Sequence, residues 1–113
     1  FFFFFFFFFF FFFFFFWNPG TFLPILIANL DSNALPAAVC NNAAWAIGEI
    51  AVRINADMVP YATDALEALV GIINKVPDPP KTLMENTGLA LGRLCLACPE
   101  IVAPHLGIFA GKL

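Results

Sequence analysis

One pattern occurs twice in this chain, first as Asn42-Ala43-Ala44-Trp45-Ala46-Ile47-Gly48-Glu49-Ile50 and again as Asn86-Thr87-Gly88-Leu89-Ala90-Leu91-Gly92-Arg93-Leu94. The two copies lie 44 positions apart, and each begins with asparagine and carries glycine at its seventh position. The same spacing separates Pro60 from Pro104. The chain therefore contains an internal repeat that extends beyond the two quoted stretches.

The length of this repeat decides the fold class. A unit of roughly 40 to 47 residues that holds two helices is typical of HEAT and armadillo arrays. Apolar residues recur at three and four positions rather than at every second one, which favours helices over strands. The sequence therefore predicts an all-α fold, a HEAT-repeat α-solenoid in which antiparallel helix pairs stack into a superhelix. Each pair in such a stack contacts mainly its neighbours, so long curved surfaces form that bind extended partners.

Start and stop signals divide the chain after Trp17 into five helices. We expect these helices near 21–30, 35–54, 58–74, 80–97 and 100–111. The polar segment from Asp31 to Asn33 supplies caps and a turn. Asp78 is the expected N-cap of the fourth helix, and Pro99 opens the fifth.

The first 16 residues are all phenylalanine. Because no ordinary soluble protein begins with such a homopolymer, we interpret 1–16 as placeholder residues for a helix of unidentified sequence. The remainder, 17–113, then holds about two and a half HEAT repeats of a larger solenoid. Taken literally, the run approaches the ~20 apolar residues of a membrane span. Natural spans mix aliphatic side chains and concentrate aromatic ones at their ends, so we expect no membrane segment.

Charge and cysteine usage argue against several classes of protein. The net charge is −3 and the five basic residues are scattered, so the electropositive patch of a nucleic-acid-binding protein is missing. Cys95 and Cys98 form a C-x-x-C pair, but the pair lies at the end of a helix, just before Pro99. That position neither activates a thiolate nor completes four zinc ligands. We expect these cysteines to pack in the core, and we expect no metal and no cofactor.

We expect no catalysis. The single histidine, His105, has no obvious nucleophile beside it, and the only serine, Ser32, suits a helix cap. No glycine-rich phosphate loop occurs in the sequence. Gly48 and Gly92 are better explained as close-packing positions inside helices.

The helix around Trp45 has an apolar stripe and an opposite polar face. At about 100° per residue, the core stripe comprises Val39, Ala43, Ala46, Ile47, Ile50 and Ile54. Trp45 falls on the other side of the helix, among Asn41, Asn42 and Glu49. Asn41 is four positions from Trp45, and Asn42, Trp45 and Glu49 follow at steps of three and four, so these side chains form one continuous surface patch. The sequence thus predicts a tryptophan on a polar face.

The fourth helix repeats this layout. Leu89 takes the position of Trp45, Asn86 takes that of Asn42, and Thr82 lies one turn before Asn86. Tryptophan is enriched in binding hot spots, and amide and hydroxyl side chains can bond the backbone of an extended peptide. We therefore predict a peptide-binding face. The alternative, which periodicity alone leaves open, is that Trp45 and Leu89 pack under a neighbouring helix.

The two stretches also resemble a known family. Val39 to Ile50 and Pro80 to Leu94 are similar to the C-terminal HEAT repeats of transportin-type nuclear import receptors in the importin-β family. The likeness covers most of Thr21 to Ile108. It implies that the concave face holds proline-tyrosine nuclear localisation signals of cargo proteins in extended form. The residues that match the family's cargo contacts are Asn41, Trp45, Thr82, Asn86 and Leu89.

The resemblance has further implications for partners and location. It implies cargo proteins with linear signals as partners, and Ran GTPase and nucleoporins as partners of parts of the receptor outside this segment. It also implies shuttling between cytoplasm and nucleus, with no direct contact to nucleic acid or membrane. The alternative function is a HEAT-repeat scaffold that assembles other protein complexes. Such a scaffold would bind a folded protein on its ridges or loops rather than a linear peptide on its inner face.

Overall fold

The computed structural model describes residues 18–75, 77–105 and 107. Its elements are α1 (Pro19–Ala28), α2 (Ala37–Ile54), a 3-10 turn (Asn55–Met58), α3 (Val59–Lys75), α4 (Lys81–Ala97), α5 (Pro99–Val102) and a second 3-10 turn (Ala103–His105). Every regular element in this described part is helical, so the predicted fold class is confirmed. The segment 1–16 lies outside the described residues.

The first four predicted helices are confirmed, with each end within two residues of its expected position. The fifth begins at Pro99 as expected, and its chain tightens into a 3-10 turn after Val102. The remainder of the predicted helix 100–111, apart from residue 107, lies outside the described part.

The capping predictions are only partly right. Asp31 Oδ1 accepts a hydrogen bond from the Asn33 backbone N–H at 3.1 Å, which forms the expected local turn. Asp78, however, is not the N-cap of α4, because that position is taken by Pro80. A residue that precedes proline is disfavoured in the helical region, so the two consecutive prolines after Asp78 keep the chain extended and delay the helix start.

The helices form two consecutive pairs, α1 with α2 and α3 with α4. The most extensive contact joins α2 to α4, the two helices that carry the repeated pattern. α1 packs against α2 and α3, and α3 packs against α4 and α5. The largest fully buried apolar side chains are Leu23, Ile47, Met58, Leu69, Ile72, Leu83, Leu91, Leu94 and Val102. Adjacent repeats therefore share one continuous core.

The predicted core stripe of α2 is confirmed except at one end. Ala43, Ala46, Ile47 and Ile50 are buried, and Ile54 packs half-buried against the core. Val39 is instead 38% exposed. In the first turn of α2 the inward position belongs to Cys40, which is fully buried, so Val39 projects to the side.

The two repeated glycines differ. A Cβ on Gly48 would lie 3.0 Å from Ala90 Cα and 3.2 Å from Arg93 Cδ. Gly48 therefore permits close approach of α2 and α4, as predicted. A Cβ on Gly92 would meet no described atom within 4 Å. Among the described residues Gly92 therefore packs closely against no other helix, and its close-packing role stays a prediction.

No single helix within 18–75, 77–105 and 107 is long and apolar enough to cross a membrane. Only the pair Lys81–Ala97 and Pro99–His105, bent by 119°, meets the length and composition criterion when taken together.

Candidate functional site

The seven predicted site residues lie on two helices that pack against each other. Asn41, Asn42, Trp45 and Glu49 belong to α2, and Thr82, Asn86 and Leu89 belong to α4. We name these seven residues the two-helix face. The predicted patch thus spans two neighbouring repeats, with one apolar anchor on each helix.

The two anchors differ in exposure. Leu89 is 45% exposed, whereas Trp45 is half-buried. Asn42 and Thr82 are exposed, and Asn41 and Asn86 are half-buried. Within the described part, neither anchor is fully covered by a neighbouring helix. Among the described residues, Leu89 is therefore not packed under a neighbouring helix and Trp45 is only partly covered. Whether a further repeat covers either anchor in a longer chain stays open.

A side-chain hydrogen bond joins the two helices on one side of the anchors. Asn86 Nδ2 donates to Asn41 Oδ1 at 2.6 Å. An asparagine side chain carries two N–H donors and one carbonyl acceptor with two lone pairs. The bond therefore uses one donor of Asn86 and one lone pair of Asn41, and further hydrogen-bonding capacity remains at the surface for a third molecule.

A cluster of charged side chains joins the same helices on the other side. Glu49 Oε1 lies 2.7 Å from Arg93 Nη1 of α4, and Glu49 Oε2 lies 3.0 Å from Arg53 Nη1, one turn further along α2. The Glu49 side chain is only 14% exposed. Arg93 Nη1 is enclosed and makes no hydrogen bond of good angle with a described residue. Its interaction with Glu49 is therefore an ion pair without hydrogen-bond geometry.

Arg93 and Arg53 were not among the predicted site residues, although the sequence contains one signal for their role. Arg93 stands 44 positions after Glu49, so the two residues occupy equivalent places in successive repeats and carry opposite charges. Equivalent places on stacked repeats are neighbours in space. A reversal of charge at such a position therefore indicates an ion pair between repeats.

The cysteines lie away from this face. Burial raises the pKa of the Cys40 thiol, and the Asp31 carboxylate adds to the increase. Burial also raises the pKa of Cys98, with Glu100 acting in the same direction. Cys98 is buried in the core, as predicted, and Cys95 packs half-buried against it. The described residues contain no group of His, Cys, Asp and Glu side chains placed to hold a metal ion.

A separate open cleft has a volume of about 490 Å³. It is lined by the end of α1, the turn at 31–33 and the α3 residues Glu67, Ala68 and Gly71. None of the seven residues of the two-helix face contributes to this cleft.

The sequence of this chain is similar to those of known proteins. Over 88 residues, which are 78% of this chain, the sequence is 50% identical to Transportin-1 of Mus musculus and of Homo sapiens. The chain belongs to the transportin/importin-β family. Transportin-1 of Oryza sativa subsp. japonica is 40% identical over 90 residues, and Importin subunit beta-2 of Schizosaccharomyces pombe is 36% identical over 88. No protein-family model matches the chain.

The chain matches only a short segment of these relatives. The chain spans about 10% of the length of the curated relatives that it matches. Its stacked helix pairs form a HEAT-repeat α-solenoid, in agreement with the predicted fold.

Proposed function

We propose that this chain is about two and a half repeats of a nuclear import receptor, and that its two-helix face binds extended proline-tyrosine nuclear localisation signals of cargo proteins. The observation that carries the proposal is the pairing of two accessible apolar anchors, Trp45 and Leu89, at equivalent positions of packed helices. The names of the relatives, Transportin-1 and Importin subunit beta-2, support a role in transport.

Apolar contact supplies the affinity in this proposal. Truncation of a tryptophan at the centre of an interface can cost about 2 kcal/mol or more in binding free energy. Full burial of a leucine stabilises a complex by about 1.5 to 3 kcal/mol. Because Leu89 is 45% exposed before binding, we expect about 1 kcal/mol from covering the rest of its side chain.

The polar side chains of the face match the needs of an extended peptide. Such a peptide presents an N–H and a C=O at nearly every residue, and each needs a partner when it is covered. Asn41, Asn86 and Thr82 provide donors and acceptors beside the anchors. Asn42 and Glu49 complete the polar border of the face on α2.

The spacing of the anchors also suits an extended chain. Packed helices lie about 8 to 10 Å apart, and an extended chain advances about 3.3 Å per residue. Two peptide side chains about two or three residues apart can therefore contact Trp45 and Leu89 together. A folded partner on a rigid scaffold has no such requirement.

The remaining properties of the receptor follow from the proposed class. The face binds cargo and catalyses nothing. Ran GTPase and nucleoporins bind other parts of the receptor, which moves between cytoplasm and nucleus.

The test is Trp45→Ala in the full-length receptor, titrated with a fluorescent proline-tyrosine signal peptide. We expect the affinity to fall about thirtyfold, which corresponds to about 2 kcal/mol. The matched control is Leu96→Ala, which removes a leucine that is 78% exposed on α4 and lies outside the two-helix face. Unchanged affinity in Trp45→Ala contradicts the site. Capture of a folded partner with no response to the peptide would favour the scaffold alternative.

A further inference from the structure

Two contacts between α2 and α4 flank the anchors of the two-helix face, one on each side. Asn41 precedes Trp45 by four positions and Asn86 precedes Leu89 by three, and these two asparagines are bonded to each other. The charged pair lies on the other side of the anchors. Glu49 follows Trp45 by four positions and Arg93 follows Leu89 by four.

Helical geometry makes these contacts immediate neighbours of the anchors. Residues three or four apart lie on the same side of a helix, about 5 to 6 Å apart between Cβ atoms. Each anchor therefore has a cross-helix contact one turn before it and another one turn after it. The separation of Trp45 and Leu89 is consequently tied to the distance between α2 and α4 at these two levels.

From this arrangement we infer that the ion pair between Arg93 and Glu49 positions the two anchors, and so determines which spacing of apolar side chains in a cargo peptide the face accepts. The inference rests on the proposed function. Arg93 and Glu49 are positioning residues in it, because they act on the peptide through the helices that carry Trp45 and Leu89.

Steric contact beside the ion pair limits the range of distances that α2 and α4 can adopt. Gly48 leaves so little room that a Cβ there would come within 3.0 Å of Ala90 Cα. The backbones of α2 and α4 are therefore in close contact next to Glu49. The Arg93 side chain extends from α4 across this contact to Glu49. The steric contact sets the closest approach of the helices, and the ion pair opposes their separation.

The charges of the cluster explain why Glu49 is suited to this role. Its carboxylate lies between two guanidinium groups, and its side chain is 14% exposed. Both carboxylate oxygens therefore have a cationic neighbour within the protein. A basic cargo residue would have to compete with both arginines, so Glu49 acts mainly on the helices.

The two partners are not equivalent. Removal of Arg93 leaves Glu49 with Arg53, whereas removal of the Glu49 charge leaves two arginines near each other without their shared anion. The Arg93 Nη1 atom is enclosed, and an enclosed charge that loses its partner is costly. We therefore expect Glu49→Gln to disturb the face more than Arg93→Met.

The experiment measures spacing preference in the full-length receptor. The probes are proline-tyrosine signal peptides with two leucines separated by one, two or three residues, and a matched set in which one leucine is replaced by alanine. In the wild-type receptor we expect one spacing to bind about tenfold tighter than the others. Arg93→Met should flatten this preference to about twofold and should weaken the single-leucine peptides much less.

Three further variants distinguish a positioning role of the ion pair from a general effect on the stability of the protein. Arg93→Lys keeps the charge, so it should recover most of the spacing preference. Lys81→Met is the control, because it removes a solvent-exposed ion pair with Glu85 on the same helix, and such pairs contribute little. Glu49→Gln should flatten the preference at least as strongly as Arg93→Met, and it carries the test if Arg93→Met does not fold.

The outcomes also distinguish this inference from the proposed function. If Trp45→Ala does not weaken binding, the proposed function fails and the inference fails with it. If Trp45→Ala weakens binding while Arg93→Met and Glu49→Gln keep the wild-type spacing preference, only the inference is overturned. An equal loss for two-leucine and single-leucine peptides also overturns it, because that result indicates a purely structural role.

Discussion

The helices α2 and α4 carry the same pattern but differ in how much of it is covered. Ala44, Gly48 and Ala51 of α2 are buried, since α4 packs over them. Their equivalents 44 positions later on α4 are Gly88, Gly92 and Cys95. Gly88 and Cys95 are half-buried and Gly92 is exposed. Among the described residues, the same sequence pattern is thus covered by a packed helix on α2 and is more open to solvent on α4.

This difference separates two kinds of position in the repeat. Ile47 and its equivalent Leu91 are both buried, because each faces the core within its own helix pair. Gly48 and Gly92 differ, because α4 packs against Gly48 whereas a Cβ on Gly92 would meet no described atom within 4 Å. In a solenoid the stability of a repeat is approximately its own contribution plus that of its interfaces with neighbours. Substitutions at the two kinds of position therefore report on different contributions.

The largest effect is expected for the core positions. Leu91→Ala should lower the free energy of unfolding by about 3 kcal/mol, since Leu91 is 1% exposed and its loss leaves a cavity. Leu89→Ala, two residues away on the same helix, should cost less than about 1 kcal/mol. Chemical denaturation of the full-length protein, followed by circular dichroism, measures both. Equal losses would mean that Leu89 is covered in the intact protein.

The second effect concerns the two glycines at equivalent positions of α2 and α4. Gly48→Ala should destabilise by about 1 to 3 kcal/mol, because the new Cβ meets the backbone of Ala90 and the helices must move apart. Gly92→Ala should instead gain up to about 1 kcal/mol from the higher helix propensity of alanine. The same denaturation experiment compares the two. If Gly92→Ala costs as much as Gly48→Ala, then α4 is covered on that side as α2 is.

The third effect concerns the way the two helices end. α2 ends at Asn55, whose φ is 48° and ψ is −116°, whereas the Cys98 cap of α4 has φ of −135°. Glycine adopts positive φ more readily than asparagine, so Asn55→Gly should stabilise by about 0.5 kcal/mol. Asn55→Ala should destabilise by about 1 kcal/mol. Thermal unfolding of the two variants tests this difference. A higher melting temperature in Asn55→Ala would contradict the inference that the backbone at Asn55 is strained.

Much of the fold was predictable from the sequence because its signals are local. Prolines, polar turn residues and three-four periodicity identified the first four helices within two residues of their ends. The errors at Val39 and Asp78 occurred at helix starts, where the exact first turn decides which side chain faces inward. The environment of Gly92 was not predictable, since it depends on a neighbouring helix rather than on the residues around it.

The candidate site was predictable in its members but not in its bonds. The helical wheel and the repeat placed Trp45 and Leu89 on equivalent faces. Periodicity gives the direction of a side chain on its own helix, but not the distance between two helices. The bond from Asn86 to Asn41 and the ion pair of Arg93 with Glu49 therefore appeared only with the packing of α2 on α4.

The smallest effect compares buried and half-buried thiols. Burial raises the pKa of Cys40 and Cys98 in the folded protein above the usual value of 9.0. The folded state therefore keeps these protons at a pH where the unfolded state loses them. Their contribution to stability is complete below the unfolded pKa and is lost as pH rises through the unfolded and then the folded pKa. We expect the melting temperature to fall above about pH 9, and to fall less steeply in Cys40→Ala.

The rate of thiol modification gives an independent measurement of the same contrast. Cys95 is half-buried on α4, whereas Cys40 and Cys98 are enclosed. An aromatic disulfide reagent should therefore modify Cys95 first, because the reagent needs access to the sulfur atom. Cys95→Ser should remove the fast phase and leave the slow ones. A fast phase that persists in Cys95→Ser would show that the helix pair opens at Cys40 or Cys98 more readily than their burial in the core predicts.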